Sequence, residues 1–278
     1  MIFQYLGTSA SEAVPAVFCE CEMCGEARLR GGRDLRTRSC AVIDEKLMLD
    51  FGPEVYAQSA RFNVHLSRVK YLFVTHPHTD HFQMNNFNLR GGFWGMNLAE
   101  DVLTVYGGKD VYAPMRDFLD NRVRAVVKPH LDAKEIHAFE TVELPEYTVT
   151  ALRACHDPSI ECLFYRIKSK ADGKTVLYIH DTENDIADSL SFIADEHVDM
   201  VSFDCTMGNK YVPKGERHMG FRNNIEVRDA LLKNGCIDSS TRLICNHICH
   251  HVGLYDDLAR LLATEGFELS YDGMRVLL

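Results

Sequence analysis

The stretch Val74–Phe82, which reads VTHPHTDHF, decides how the rest of the chain is interpreted. It places His76, His78, Asp80 and His81 directly after an apolar run. In an extended segment the first three would point to one side, and a turn after Asp80 would bring His81 to a neighbouring position. Imidazole and carboxylate suit zinc, iron or manganese. Four ligands exceed what one open catalytic ion takes from so short a segment, so the stretch predicts two metal ions. The alternative interpretation is a histidine-rich surface turn.

The composition favours a large enzyme-like domain. With 278 residues and 46% hydrophobic content, the chain can bury a sizeable core, and we expect a single domain over 1–278. No apolar stretch approaches the roughly 20 residues of a membrane span, so no membrane partner is expected. The N-terminus lacks the pattern of an export signal, which predicts a cytoplasmic protein. The net charge of −10 counts against a nucleic-acid partner, and the sequence leaves a homodimer open.

Short β-type runs alternate with helical patterns along the chain. Strands are predicted at 2–6, 40–44, 46–51, 69–75, 103–107, 147–154, 162–168, 174–179, 198–203, 241–246 and 274–278, and helices at 53–62, 108–121, 183–195, 223–234 and 253–264. This alternation predicts a layered α/β fold with sheets inside and helices outside. Residues 83–100 have the composition of a loop-rich insertion and contain the only tryptophan, Trp94.

Three of the ten cysteines form a second candidate metal site. Cys19, Cys21 and Cys24 follow a C-x-C-x₂-C spacing, and without an export signal reduced thiols or metal ligands are expected. Thiolates favour closed, four-coordinate zinc, which requires a fourth ligand. We predict His250 for that position, three residues after His247. If these residues form a helical turn, the two histidines project on neighbouring faces. Unpaired buried cysteines are the alternative.

The motif HPHTDH resembles the H-x-H-x-D-H signature of the metallo-β-lactamase superfamily. The resemblance covers nearly the whole chain and implies an αββα four-layer sandwich with a two-metal site at its edge. It also implies that Asp50 supports the metal ligands. The implied ligands of the first metal are His76, His78, His156 and Asp181, and those of the second are Asp80, His81, Asp181 and His247.

Two cations a few Å apart, manganese or zinc, would lower the pKa of a shared water and neutralise charge on a phosphoryl oxygen. Asp80 and His218 are the catalytic candidates. By resemblance, His218 lies in the active site, where it would bind a phosphoryl oxygen or protonate a leaving alkoxide. An exposed loop histidine is the alternative. Candidates for binding a terminal phosphate are Lys214, Arg217, Arg222 and Arg90, and for each of them singly a solvated surface charge is the alternative.

The segments GTSASEAVPAVFCECEMC and HICH resemble the PhnP-like phosphodiesterases of the carbon–phosphorus lyase pathway, which carry an additional structural zinc. The function this implies is hydrolysis of a small cyclic or diester phosphate by attack of a metal-bridging hydroxide. One alternative is a tRNA 3′-processing endonuclease, which normally adds a protruding arm and a basic surface. The other is a non-hydrolytic metal-binding protein similar to the pyrroloquinoline-quinone biosynthesis protein. Loss of active-site ligands would mark that alternative, but all seven candidates are present.

Overall fold

A computed structural model describes residues 1–278 and contains two seven-stranded sheets. The first sheet holds β1 (Ile2–Gly7), β2 (Cys40–Ile43), β3 (Leu47–Leu49), β4 (Tyr71–Phe73), β5 (Leu103–Gly107), β6 (Leu131–Glu135) and the last strand, β14 (Arg275–Leu277). The second holds β7 (Thr141–Glu143), β8 (Tyr147–Arg153), β9 (Leu163–Ser169), β10 (Thr175–Ile179), β11 (Met200–Asp204), β12 (Arg242–Asn246) and β13 (Phe267–Leu269).

The strand order is β14-β1-β2-β3-β4-β5-β6 in the first sheet and β13-β12-β11-β10-β9-β8-β7 in the second. Strands β3 to β6 are mutually parallel, and so are β10 to β13. The helices are α1 (Glu22–Arg30), α2 (Val55–Phe62), α3 (Lys109–Asp117), α4 (Ala187–Phe192), α5 (Phe221–Lys233) and α6 (Tyr255–Ala263). None of them has both the length and the apolar character that a bilayer crossing requires.

Three buried clusters of apolar side chains define four layers. One lies between the two sheets and includes Phe3 and Tyr165. The second packs the outer face of the first sheet against α2 and α3, and the third packs the outer face of the second sheet against α4, α5 and α6. Because each sheet buries one face on the other sheet and one on helices, the predicted αββα sandwich is confirmed.

The elements that sequence patterning missed lie mainly at the sheet edges. Strands β6, β7 and β13 are each the outermost strand at one end of a sheet, and β7 and β13 have only three residues. An edge strand needs less apolar sequence than a central one, so LDAKE and TVE gave little strand signal. Helix α1 was also missed, since it contains Gly25 and shows little amphipathic pattern.

Candidate metal centre

The candidate ligands follow the carboxyl ends of parallel strands, which meet at one edge of each sheet. Asp50 follows β3, His76 lies three residues after β4, Asp181 lies two after β10, and His247 follows β12 directly. Asp50, Asp181 and His247 have φ values of 61°, 50° and 60°. Non-glycine residues in this left-handed region are uncommon and gather at functional sites. The left-handed turn at each strand end directs the side chain into the space between the sheet edges.

The histidine motif folds as a turn rather than as an extended tail up to Asp80. Strand β4 ends at Phe73, two residues earlier than predicted. The amides of His81 and Phe82 both donate to the carbonyl of His78, at 3.0 and 2.9 Å. The turn therefore already contains Asp80, and it brings the side chain of His81 beside those of its neighbours, as the sequence predicted.

Two groups of donor atoms correspond to the two implied ions. His76, His78 and His156 form one group, and Asp80, His81 and His247 form the other, each with its donor atoms within 4.8 Å of one another. These are the two histidine-containing ligand sets that the sequence resemblance implied. Members of both groups, namely His78 and His156 of the first and Asp80 and His247 of the second, line a cleft of about 380 Å³, which His218 also lines.

Asp181 lies between the two groups. Its Oδ1 is 3.9 Å from His156 Nε2, and its Oδ2 is 3.0 Å from His81 Nε2 and 3.2 Å from His247 Nε2. Burial alone would raise the pKa of this carboxyl, but the imidazoles of His247 and His81 hold the pKa well below its usual range. An ionised carboxylate with one oxygen on each side is the geometry of a bridging ligand.

Three buried donor atoms at this point have no hydrogen-bond partner: His81 Nε2, Asp181 Oδ2 and His247 Nε2. A buried polar atom without a partner destabilises a fold by about 1–3 kcal/mol, so three converging on one point need an explanation. Imidazole nitrogens and carboxylate oxygens are the donors that divalent zinc or manganese accepts. The residues therefore fit a metal ion at this position.

The ligands are oriented by a second set of buried groups. Asp50 Oδ2 lies 2.8 Å from His81 Nδ1, and its Oδ1 accepts hydrogen bonds from the amide and hydroxyl of Thr75. The Thr75 hydroxyl is also 2.9 Å from His76 Nδ1. Such contacts fix the ring orientation and the protonated nitrogen of a ligating histidine. The supporting role that the resemblance implied for Asp50 agrees with this geometry.

Asp204, the last residue of β11, was missed by the sequence analysis. Its buried Oδ2 lies 3.0 Å from His218 Nδ1 and accepts the amide N–H of Asp181 at 3.1 Å. Burial opposes a charge on His218, but the Asp204 carboxylate outweighs it and raises the pKa of His218 to about 9. A signal was available, because VDMVSFD ends on an aspartate after an apolar strand, as LYIHD does.

Glu183 was missed for a different reason. Its buried carboxylate accepts the amide N–H groups of Gly215 and Arg217, at 2.8 and 3.0 Å. The Arg217 carbonyl in turn accepts a hydrogen bond from His156 Nδ1 at 3.0 Å. Glu183 therefore holds the loop that orients His156 and precedes His218. Its contacts are with backbone far along the chain, for which the sequence carries no pattern.

The four cationic candidates for binding phosphate do not all lie in the metal cleft. Arg217 lines the metal cleft, and Lys214 lines an adjoining cleft that shares Arg217 and His156. Arg222, in the first turn of α5, lines neither of these clefts. Arg90 lies elsewhere, against an apolar cavity under residues 83–100, and does not line the metal cleft.

The family model of the β-lactamase superfamily domain matches residues 45–238, well over half of the chain. The chain belongs to the β-lactamase superfamily. The matched range contains every ligand of the two groups except His247. The superfamily resemblance found in the sequence is thereby confirmed.

The octanoyltransferase of Porphyromonas gingivalis is one curated relative of this chain. It is 24% identical over 280 residues, which cover 98% of this chain and 51% of that protein. Ribonuclease Z of Bacillus subtilis is 30% identical over 129 residues, covering 44% of this chain and 38% of that protein. The chain thus spans about half or less of the length of these relatives.

Several solved structures share the superfamily fold. A diphosphatase of the PhnP family matches with a TM-score of 0.74 and 18% identity, covering 100% of this chain and 97% of that one. Zn(2+)-bound PqqB from Methylobacterium extorquens matches with 0.71 and 20%, covering both chains fully. The short form of human tRNase Z matches with 0.67 and 15%, covering 100% and 99%. At these identities the likeness concerns the fold.

The superfamily domain match leaves out the cysteine cluster, which lies before residue 45. The sulfur atoms of Cys19, Cys21 and Cys24 lie within 4.8 Å of one another around the start of α1. Cys24 Sγ accepts the amide N–H of Ala16 at 3.3 Å, and the amide N–H of Cys24, with the Cys19 side chain, lowers the pKa of the Cys21 thiol. Three thiols with amide donors around them suit a thiolate-bound ion such as zinc.

The structure does not bring His250 into the cysteine cluster. His250 Nδ1 is buried without a hydrogen-bond partner and lies 3.6 Å from Glu12 Oε1. The predicted helical turn is also wrong, because Ile248 pairs with Ser9 in an isolated β-bridge. His251 has its Nδ1 3.2 Å from Cys249 Sγ and lines the metal cleft. A structural zinc bound by the three cysteines and His250 stays a prediction.

Proposed function

We propose that this protein is a dinuclear metal-dependent phosphodiesterase that hydrolyses a small cyclic or diester phosphate, as PhnP-like enzymes do. The observation that carries the proposal is Asp181, whose two carboxylate oxygens face two separate donor groups. That arrangement suits a pair of ions, manganese or zinc, at one reacting centre. Two such ions would supply a hydroxide nucleophile at neutral pH and neutralise charge on the phosphoryl oxygens.

His218 is placed to donate a proton to the leaving group. Its ring is 4.8 Å from the ring of His156, and its side chain remains 21% exposed toward the cleft. Asp204 binds Nδ1, which leaves Nε2 to face a substrate. The Asp204 carboxylate raises the pKa of His218 to about 9, which favours the protonated ring that can donate to a departing alkoxide. Asp80 completes the second donor group and acts in catalysis through that group.

The cleft favours a small substrate over tRNA. Its volume of about 380 Å³ suits a small molecule, and the acidic Glu12 is among its lining residues. The net charge of −10 also opposes a long polyanion. All seven predicted donors are assembled, which favours catalysis over the metal-binding role of a PqqB-like protein.

The test is a substrate panel on the manganese- and zinc-loaded full chain. The panel contains a ribose cyclic phosphate, bis-p-nitrophenyl phosphate, a phosphomonoester, a lactam, octanoyl thioester and pre-tRNA; the thioester is included because one relative is named an octanoyltransferase. We expect the two phosphodiesters to be cleaved fastest, with activity lost on chelation and restored by metal. Preferential cleavage of pre-tRNA, the lactam or the thioester would refute the proposal, as would two bound ions with no hydrolysis.

A further inference from the structure

An apolar cavity of about 280 Å³ lies beneath residues 83–100, on the opposite side of the first sheet from the second sheet. Its floor is formed by Val55 of α2, Leu72 of β4 and Leu103 of β5, and its roof by Phe87 and Leu98. Walls formed by such side chains favour apolar ligands. Small-molecule sites in general combine apolar walls with a few polar groups.

The cavity has a mouth toward solvent. Tyr56 and Leu89 both line it, and they are 76% and 49% exposed. Phe51 and Phe87, which both line it, stack with their ring centroids 4.7 Å apart. The cavity and the metal centre have no lining residue in common.

Arg90 gives the cavity one cationic group. The side chain is only 9% exposed, and burial lowers its pKa. Its Nε and one terminal nitrogen donate to the carbonyls of His130 and Glu100, at 3.2 and 2.6 Å. The other terminal nitrogen makes no hydrogen bond within the protein but is not among the fully buried unpartnered atoms, so it is accessible from the cavity side or from solvent. No carboxylate pairs with Arg90. The acidic neighbours are engaged elsewhere: Glu100 pairs with Lys70, and Asp101 with His130.

A largely buried guanidinium that is hydrogen-bonded only to carbonyls has no carboxylate partner of its own and can still pair with an anion. The apolar walls are complementary to a hydrocarbon chain, and the arginine to a terminal carboxylate. We infer that this cavity binds an aliphatic carboxylate, with its chain between α2 and residues 83–100 and its carboxylate on Arg90. This site is separate from the proposed phosphodiesterase site and does not depend on it.

The experiment is calorimetric titration of the metal-loaded full chain with octanoate, octanol, octylamine and octanoyl-coenzyme A. We expect octanoate to bind best and octylamine not to bind. Affinity should rise about fourfold per methylene from butanoate to octanoate, as burial of about 0.8 kcal/mol per CH₂ predicts. Equal affinity for octanoate and octylamine, tighter binding of the thioester, or no binding of octanoate at millimolar concentration would overturn the inference.

Two variants locate the site, and a third controls for charge. Arg90→Gln should weaken octanoate binding tenfold or more while leaving octanol binding nearly unchanged. Leu98→Phe fills the cavity from its loop side and should weaken both ligands. Arg124→Gln removes an arginine that stacks on Trp94 instead of lining the cavity, and it should bind octanoate like the parent chain. A thermal melt checks folding, and equal octanoate affinity in Arg90→Gln and Arg124→Gln would contradict the assignment.

Discussion

The metal cleft and the cysteine cluster assemble their donors in different ways. In the cleft, His81, Asp181 and His247 are buried, and other buried groups fix their rings and backbone. The cysteine cluster lies at the start of α1 and on the loop before it, where Cys21 is exposed and the predicted fourth donor is not in place. The comparison teaches that strand ends can organise a site before any ion binds, whereas a loop site depends on the ion for its order.

The largest effect is expected from the residue that joins the two halves of the cleft. Asp181→Ala removes the only carboxylate that faces both donor groups, so two ions would repel each other without it. We expect turnover of the phosphodiester to be abolished and the active-site metal content to fall, as measured by elemental analysis. Asp188→Ala, at an exposed aspartate of α4, should retain both. Two bound ions and near-normal turnover in Asp181→Ala would defeat the bridging assignment.

His218 tests whether a residue in the cleft can act without binding metal. We expect His218→Ala to lower kcat by about 10²–10⁴-fold with the ratio of metal to protein unchanged. Because the protonated ring is the active form, activity should fall as the pH rises through its pKa of about 9. Asp204→Asn removes the charge that raises this pKa, so burial then lowers it and the alkaline limb should move to lower pH. Metal loss in parallel with activity would make His218 a ligand.

The sequence predicted the candidate metal ligands of the cleft far better than the strands and side chains that hold those ligands in place. The spacing of His76, His78, Asp80 and His81 is local, and a resemblance placed His156, Asp181 and His247 at strand ends, where the structure has them. Sheet order and the short edge strands were less accessible, because pairing is a long-range property that composition only weakly reports. Glu183 accepts hydrogen bonds from backbone amides more than thirty residues away, and no local sequence pattern indicates such a contact.

Substitution of Glu183 should have a smaller effect on metal affinity and activity, because Glu183 positions a loop of the cleft. Glu183→Ala should release the loop at Gly215 and Arg217, and with it the hydrogen bond that orients His156. Contacts of this kind are typically worth about 10–100-fold in metal affinity or activity. Glu183→Gln keeps one carbonyl acceptor and should recover part of the loss. If Gln and Ala reduce metal affinity equally, or neither does, the carboxylate does not position the loop through its two amide contacts.

The smallest effect on activity is expected from substitutions in the cysteine cluster. These substitutions test whether a metal ion or the fold itself orders the segment that carries Cys19, Cys21 and Cys24. Cys21→Ser should lose one tightly bound zinc and lower the melting temperature, because an ion that closes a long loop also restricts the unfolded chain. Activity should fall only indirectly, through the bridge between Ser9 and Ile248 next to His247.

His250→Ala should reproduce both losses if its unpartnered Nδ1 turns to the cysteines when zinc binds, whereas His251→Ala should retain the zinc, since its ring contacts Cys249 in the cleft. The measurement is zinc stoichiometry with a thermal melt for each variant. Full zinc occupancy in His250→Ala would assign the fourth position to another donor, and full occupancy in Cys21→Ser would remove the zinc site altogether. In that case the three thiols would be ordinary cysteines gathered at the start of α1, and the contrast between the two regions would be between a metal site and none.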